Sequence, residues 1–360
     1  MFSGSNLRLI RQYHGFSLEQ VADTVGKTRQ YIHKIEVGGA TPTQELTMEL
    51  ANALGVAPDF FSDDLPFVVS EEIVHFRKLA STKVSTKYEM LARAEVFSRL
   101  VDLLEDHLTL PPVSFPSYSI SQVDEIEKIT ERCRSDWGLG FGPIDNVTRL
   151  AEKMGALVTS FESLSDEIDA LSIPLARPLI IRNSAKKSPC RMRFDIAHEI
   201  GHLILHEGIT TGDRKTETEA NRFASSFLIP RTSMMKFFPK FSGTRVNWKG
   251  LSELKLEWKV SKAAIIYRAH QLNIIDDNQY KAAFLGLKRK GESIDEKEDS
   301  LIPHEAPALL EMAFGFMINE CGFSWEDIAK KINISTGILS DFIPQVKKMP
   351  QTSNVVPLFR

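Results

Sequence analysis

Residues 193–206 decide how the centre of this chain folds, and they read Arg193-Phe194-Asp195-Ile196-Ala197-His198-Glu199-Ile200-Gly201-His202-Leu203-Ile204-Leu205-His206. Apolar side chains fill most positions between the polar ones, which predicts a largely buried helix. On a helix, residues four apart share one face and lie about 6 Å apart along the axis. His198 and His202 can therefore direct two imidazoles at one point.

The pattern His198-Glu199-x-x-His202 indicates a zinc site on a helix. A histidine pair at this spacing can also be a hydrogen-bonded surface pair, but the apolar flanks favour burial, and buried imidazoles need partners such as a metal. Glu199 would lie beside the same ion, where a general base takes a proton from water. Gly201 lies in the interior of the predicted helix, where glycine is about 1 kcal/mol less favourable than alanine. We expect its missing side chain to leave room next to the ion.

A catalytic zinc site needs a third protein ligand and one open position. His206 lies eight residues after His198, about 12 Å along the helix, which is too far to reach the same ion. The next acidic helix, at 215–230, supplies better candidates. Glu217 continues its buried face and is the favoured ligand, with Glu219 as the alternative. The other glutamate would be a first-turn acid facing the helix dipole, and Asn221 is expected to orient a ligand through a hydrogen bond. The buried face of this helix is predicted to hold Ala220, Ala224, Phe227 and Leu228.

Residues 5–62 predict a compact helical unit that contains a helix-turn-helix. Ser17 is a candidate N-cap with Gln20 three residues later, which is a capping box. Gly26 ends this helix in a short turn, and Thr28 caps the next one. Two short helices joined by a tight glycine turn are typical of DNA-binding proteins. The apolar residues expected to complete the core of this unit are Leu7, Ile10, Met48, Leu50, Leu54 and Phe60.

The second helix of this unit carries side chains that can read DNA. Arginine and glutamine make bidentate contacts to guanine and adenine edges in the major groove. Residues 1–62 hold five Lys/Arg and six Asp/Glu, so any basic surface is confined to one side. A helix-turn-helix used for protein contacts is the alternative. The predicted DNA contacts are Arg29, Gln30, His33 and Lys34 for bases, and Ser17, Lys27 and Thr28 for phosphates.

The rest of the chain alternates helical and β-like segments. A connector follows the first domain, with a long amphipathic helix that ends before Pro111. Three short β-like runs precede the opening helix, at 157–160, 170–173 and 178–181, and a turn is predicted at 182–189. A strand beside that helix would offer an edge on which an extended peptide could lie. A supporting helical hairpin is expected at 251–275, and the charged stretch 287–300 predicts a linker. Tyr267 and Arg268 are chemically able to stabilise an oxyanion, but no spacing ties them to the site.

Residues 322–342 repeat the pattern of residues 15–35 with a constant offset. Both begin Gly-Phe-Ser, and the apolar positions coincide, for example Ala22 with Ala329 and Ile35 with Phe342. This predicts a second helix-turn-helix-like unit. Asp341 stands where the first unit has Lys34, so we expect a structural or dimerising role rather than base reading.

Composition excludes several classes of protein. The net charge of −3 means that DNA binding must come from a local patch. No apolar run approaches the ~18–20 residues needed to span a bilayer, and the N-terminus lacks the pattern of a signal peptide. Three widely spaced cysteines do not suggest a disulfide framework. We therefore expect a cytoplasmic protein with no membrane partner.

Two stretches resemble known families. Residues 5–62 resemble the Xre/Cro-type DNA-binding domain of phage repressors. The paired motifs resemble those of the ImmA/IrrE metallopeptidases, and Xre-type domains fused to such peptidases form a recognisable class. This resemblance implies a gluzincin-like Zn²⁺ site with His198 and His202 as ligands, Glu199 as base and a glutamate of the second motif as third ligand. It also implies a narrow substrate range, usually one site in a partner repressor or antitoxin-like regulator. The motifs are Phe194-x-x-Ala197-His198-Glu199-x-Gly201-His202-x-x-x-His206, Glu217-x-Glu219-Ala220-Asn221-x-Phe223-Ala224 and Leu228-x-Pro230.

The predicted fold class is α+β. We expect an all-α helix-turn-helix domain at 1–63, a helical connector at 64–112, a zincin-like α+β metallopeptidase domain at 113–286 and a helical C-terminal region at 300–360. The predicted function is a DNA-binding regulatory zinc metallopeptidase that cleaves a partner regulator protein, in a chain that could form a homodimer. The alternative is a transcription regulator whose peptidase-like domain acts as a sensor or dimerisation module with little or no proteolysis.

Overall fold

The computed structural model describes residues 1–62, 66–70, 74–76, 83–161, 170–183 and 188–343. The predicted α+β class is confirmed, with one small sheet among sixteen α-helices in these ranges. Residues 184–187 of the predicted turn and residues 344–360 of the predicted C-terminal region lie outside the described residues.

The N-terminal unit contains four helices and a closing 3-10 turn at Pro58–Phe61. The expected capping box forms at Ser17 and Gln20, and Thr28 caps the second helix of the motif. Met48, which we expected in the core, is 47% exposed. It lies across the helix from the buried positions Leu46, Leu50 and Leu54, which share the 3.6-residue period. The helices are α1 (Gly4–Tyr13), α2 (Leu18–Thr24), α3 (Arg29–Glu36) and α4 (Gln44–Leu54).

The connector helix α5 (Val84–His107) packs its apolar side chains into the same core as the N-terminal unit. The guanidinium of Arg99 donates to the side chain of Asn6 in α1 at 3.2 Å. Arg177 pairs with Glu105 and also donates to the carbonyls of Pro111 and Gly155. These contacts fix α5 to both the first helix and the central domain.

The sheet has the strand order β1-β3-β4-β2. β3 is antiparallel to both of its neighbours, and β2 is parallel to β4. We expected a strand beside the opening helix to offer an edge for an extended peptide. Both β3 and β4 pack against this helix. β4 pairs on both sides, and β1 covers the outer edge of β3 at Leu171 and Ser172, so neither strand has a fully free edge. The strands are β1 (His75–Phe76), β2 (Leu157–Phe161), β3 (Ala170–Ile173) and β4 (Leu179–Asn183).

Alternate residues of the strands face two different cores. Leu179 and Ile181 of β4 pack into the core that contains α5 and the N-terminal unit. Ile180, between them, packs into a second core with the opening helix. The sheet therefore lies between two helical layers, as the period of two requires. The second core is built by α6 (Glu125–Asp136), α7 (Val147–Lys153), α8 (Pro189–Leu205), α9 (Arg214–Leu228), α10 (Arg231–Phe237), α11 (Trp248–Trp258), α12 (Lys262–Gln271) and α13 (Asp277–Arg289).

The stretch 287–300, predicted as a linker, is mostly exposed, but ion pairs anchor it to the preceding hairpin. Its carboxylates pair with two buried lysines of the preceding hairpin. Lys255 Nζ lies 2.7 Å from Glu296 Oε2, and Lys262 Nζ lies 2.9 Å from Glu298 Oε2. Lys262 also pairs with Glu292. A run of charged residues is usually exposed to solvent, but here the residues of opposite charge lie on earlier helices.

The C-terminal helices are α14 (Leu309–Asn319), α15 (Trp325–Lys331) and α16 (Thr336–Phe342), and α15 and α16 form the predicted second unit. Backbone hydrogen bonds join Ser335 N to Gly55 O at 2.8 Å and Ala57 N to Asn333 O at 2.9 Å. The hydroxyl of Thr159 in β2 donates to Phe342 O. This unit therefore packs against both the N-terminal domain and the sheet. Among the described helices, none combines the length and apolar character needed to cross a bilayer.

Candidate metal centre

Helix α8 carries the two histidines and the glutamate of the opening motif. It begins with Pro189 at its first turn, a position where the missing N–H is tolerated. His198, Glu199 and His202 are all 1% exposed or less. The prediction of a buried helix is confirmed, and its polar side chains therefore need partners inside the protein.

Helix α9 lies directly against α8 at Gly201. A Cβ added to Gly201 would meet the Cβ of Phe223 at 3.0 Å and its Cδ1 at 3.1 Å. We expected this glycine to leave room beside an ion, and that is wrong: the space is filled by Phe223. The glycine acts instead by letting α9 approach α8, which brings the acidic first turn of α9 next to the histidines.

Three side chains converge where the two helices meet. His198, His202 and Glu217 each offer one ligand atom, and these atoms lie within 4.8 Å of one another. The two Nε2 atoms are 3.0 Å apart, and the Glu217 carboxylate lies 3.4 Å from His198 Nε2 and 3.3 Å from His202 Nε2. Two imidazole nitrogens and a carboxylate are a common donor set for catalytic zinc.

The charge state of Glu217 suits such a site. Burial raises the pKa of this carboxyl, but the nearby His198 and His202 outweigh burial and hold the pKa well below its usual value. Its Oε1 atom is buried and makes no hydrogen bond within the described structure. An ionised, buried oxygen of this kind is suited to a cation.

Glu219, the alternative ligand, lies elsewhere. Its Oε2 is 3.0 Å from His206 Nε2 rather than among the three converging atoms. Asn221 Oδ1 lies 3.1 Å from His198 Nδ1, on the side of the ring away from Glu217. The roles of Glu217 as ligand and Asn221 as orienting residue remain predictions, and this geometry favours both.

Glu199 has a partner that the motif did not indicate. Ser172 Oγ, on β3, donates to Glu199 Oε2 at 2.6 Å, and Ser172 is fully buried. β3 contributes this hydroxyl because Ser172 points to the α8 side of the sheet, while Leu171 and Ile173 point to the other core. Packing of β3 against α8 places the hydroxyl there. Ser172 and Glu199 are 27 residues apart in the sequence, so no local pattern predicted this contact.

The two side chains considered for oxyanion stabilisation have different surroundings. Tyr267 is 45% exposed on α12. Arg268 is buried and bound to Glu127, with Nη2–Oε2 at 2.7 Å. Arg268 is therefore engaged in a buried ion pair that ties α12 to α6.

The face predicted to contact DNA is open to solvent. Within the N-terminal unit, Arg8 and Arg11 are instead paired with the buried Glu36. The predicted DNA face draws its positive charge from Lys27, Arg29 and Lys34, which are all exposed. The exposed residues are Ser17, Lys27, Thr28, Arg29, Gln30, His33 and Lys34.

Comparison with known families agrees with this division of the chain. The family model described as IrrE N-terminal-like domain matches residues 151–270, which include α8 and α9. A model described as helix-turn-helix matches residues 7–61.

Three curated relatives are named as transcription regulators. The SPbeta prophage-derived uncharacterized HTH-type transcriptional regulator YonR of Bacillus subtilis is 40% identical over 57 residues, which are 16% of this chain and 53% of YonR. An HTH-type transcriptional regulatory protein of Pyrococcus horikoshii is 22% identical over 42% of this chain and 45% of its own length. One of Pyrococcus abyssi is 25% identical over 35% of this chain and 37% of its own length.

The chain thus spans about half or less of the relatives it matches. The two domain matches do not overlap: one covers the N-terminal helical unit, and the other covers strands β2–β4 and helices α8 and α9. This chain joins an Xre-type helix-turn-helix domain to an ImmA/IrrE-type, peptidase-like domain.

Proposed function

We propose that this chain is a DNA-binding transcription regulator whose ImmA/IrrE-type domain is a zinc metallopeptidase that cleaves one partner regulator protein. The observation that carries the proposal is the convergence of His198, His202 and Glu217 on one point. The histidines and Glu199 come from one helix and Glu217 from another, so their meeting is a property of the fold.

The residues present fit a Zn²⁺ ion. His198 and His202 would hold it through Nε2 and Glu217 through its carboxylate, whose Oε1 makes no hydrogen bond in the described structure. When bound, zinc supplies Lewis acidity that polarises a peptide carbonyl and acidifies a coordinated water.

Glu199 is the residue that would move the proton. Its carboxylate would accept a proton from the attacking water and deliver it to the leaving amine nitrogen. The hydroxyl of Ser172 donates to Glu199 Oε2, which fixes the orientation of the carboxylate.

DNA binding is proposed for the N-terminal domain. Helix α3 would enter the major groove with Arg29 and Gln30 towards base edges, while Lys27 and Thr28 at its N-terminus would contact phosphates. All four side chains are exposed. The domain would place the peptidase near an operator or near a DNA-bound partner.

A second function is favoured by a different observation. The histidines and Glu199 are almost fully buried, and the relatives are named only as transcription regulators. In this alternative, the peptidase-like domain is a sensor or dimerisation module with little or no proteolysis.

The two functions are separated by a Glu199→Gln variant. This change keeps the size of the side chain and removes its ability to take a proton. We expect the variant to retain as much zinc as the wild type, by elemental analysis, and to capture an uncleaved partner protein from the source cells. Adding the wild-type protein to the captured partner should then produce two fragments. If zinc is bound but the wild type leaves the partner intact, the sensor alternative is correct.

A further inference from the structure

Two more buried polar side chains form a hydrogen-bonded chain behind His202. His202 Nδ1 lies 2.9 Å from His206 Nδ1, and His206 Nε2 lies 3.0 Å from Glu219 Oε2. His206 is 1% exposed and Glu219 is 4% exposed. This series of hydrogen bonds leads from the candidate metal centre towards the first turn of α9, where Lys215 approaches Glu219 at 3.8 Å.

The carboxylate end gives this chain a direction. An ionised carboxylate only accepts hydrogen bonds, so His206 Nε2 carries a proton. In a neutral imidazole the other nitrogen is then an acceptor, so His206 Nδ1 accepts from His202 Nδ1–H. His202 Nε2 is left with a lone pair, and this is the atom that lies 3.3 Å from Glu217. The opposite direction puts the proton on His202 Nε2, where it would block a metal.

The other histidine is held in the same way by a simpler partner. The Asn221 oxygen accepts from His198 Nδ1–H, which leaves His198 Nε2 facing His202 Nε2 and Glu217. Both imidazoles therefore present the same nitrogen to the same point. One is oriented by a single amide, and the other by a histidine backed by a glutamate.

We propose that His206 and Glu219 are positioning residues that fix the ring and tautomer of His202 for zinc, an inference that rests on the proposed zinc site. A packing role alone would not need them. Burying an imidazole and a carboxylate is costlier than burying apolar side chains of similar size. Partners of this kind orient metal ligands, and their loss typically weakens metal affinity about 10–100-fold.

The test measures zinc affinity in the full-length protein by competition with a chromophoric chelator. His206→Leu and Glu219→Leu should each weaken zinc binding about 10–100-fold. The double variant should lose little more than His206→Leu alone, because the two residues act in series. Lys215→Ala is the matched control: it touches the same carboxylate from the exposed side and should change the affinity less than about twofold.

A rescue variant and the metal-free proteins separate positioning from packing. The amide oxygen of Glu219→Gln can still accept from His206, so this variant should bind zinc more tightly than Glu219→Leu. The melting temperature of the metal-free double leucine variant should be at least that of each single leucine variant, because each single change leaves a buried polar partner unpaired. Unchanged zinc affinity in both leucine variants would overturn the positioning role of His206 and Glu219 and leave the proposed zinc site intact. A wild type that binds no zinc would overturn both proposals.

Discussion

The two helix-turn-helix units of this chain share a sequence pattern but are used differently. Each has a serine N-cap with a capping box, at Ser17 and at Ser324. The second helix of the N-terminal unit exposes Arg29 and Gln30, whereas the matching positions of the C-terminal unit hold Thr336 and Gly337. The repeated apolar positions thus determine how a unit folds, and the residues between them determine what it contacts.

Their chemistry differs at matching positions. Lys34 is exposed on α3, while its counterpart Asp341 accepts a hydrogen bond from the hydroxyl of Tyr13 in the N-terminal domain at 3.1 Å. The prediction that the second unit does not read bases agrees with this placement. Its structural role is to join the N-terminal domain to the sheet.

The largest effect should come from breaking the C-terminal interface. Phe342→Ala removes a ring that is 1% exposed and stacks on Phe97, so we expect it to lower the free energy of unfolding by about 3–5 kcal/mol. Phe316→Ala is the control, since that ring is 53% exposed on α14, and it should cost no more than about 0.5 kcal/mol. Urea denaturation measures both. Equal losses would show that the second unit is not part of the core.

A smaller effect is expected on the N-terminal side of the comparison. Arg29→Ala and Gln30→Ala should each weaken binding to a selected operator by about 1–3 kcal/mol. Their stability should stay within about 0.5 kcal/mol of the wild type, because both side chains are exposed. Fluorescence anisotropy against specific and scrambled DNA is the measurement. Unchanged discrimination between the two DNAs would favour the protein-contact alternative.

The smallest effect concerns the two capping boxes. The third residue of α2 is Gln20, which does not titrate, whereas that of α15 is Asp327. Hydrogen bonds from the Ser324 hydroxyl and backbone lower the pKa of Asp327 below its usual 3.8. A carboxyl with a depressed pKa stabilises the fold above its unfolded pKa, and this contribution is lost as the pH falls through its folded pKa. Acidification below about pH 4 should therefore weaken α15 but not α2.

Hydrogen exchange at the two helix N-termini, measured across that pH range, tests this difference. Asp327→Asn keeps the acceptor oxygen and removes the titration, so its α15 should show no such pH dependence. The same loss of protection in α15 of the variant would mean that another group is responsible.

Local spacing was enough to predict the parts of the site that lie on helices. The i, i+4 relation placed His198 and His202 together. The burial argument for Glu217 over Glu219 does not hold, because Glu219 is the more buried of the two, although Glu217 is the one that lies beside the histidines. Helix length excluded His206 from the ion, but i+4 from His202 also puts it on the same face, where it contacts that histidine. Helical geometry is local, so these relations can be read from the sequence.

Relations between distant elements could not be read in the same way. Ser172 reaches Glu199 only because β3 packs beneath α8. The space beside Gly201 is filled by Phe223 of another helix. Two carboxylates of the charged stretch after α13, Glu292 and Glu296, are buried because Lys255 and Lys262 lie on earlier helices. Each depends on long-range packing, for which a single sequence carries no periodic signal.

The most direct test of the proposed function is the mass of the partner protein after incubation with zinc-loaded wild type or Glu199→Gln. The account predicts two fragments, whose masses sum to that of the partner plus one water, with the wild type, and an intact partner with the variant, at equal zinc content. Equal cleavage by both proteins, or an intact partner with both, would contradict the role assigned to Glu199.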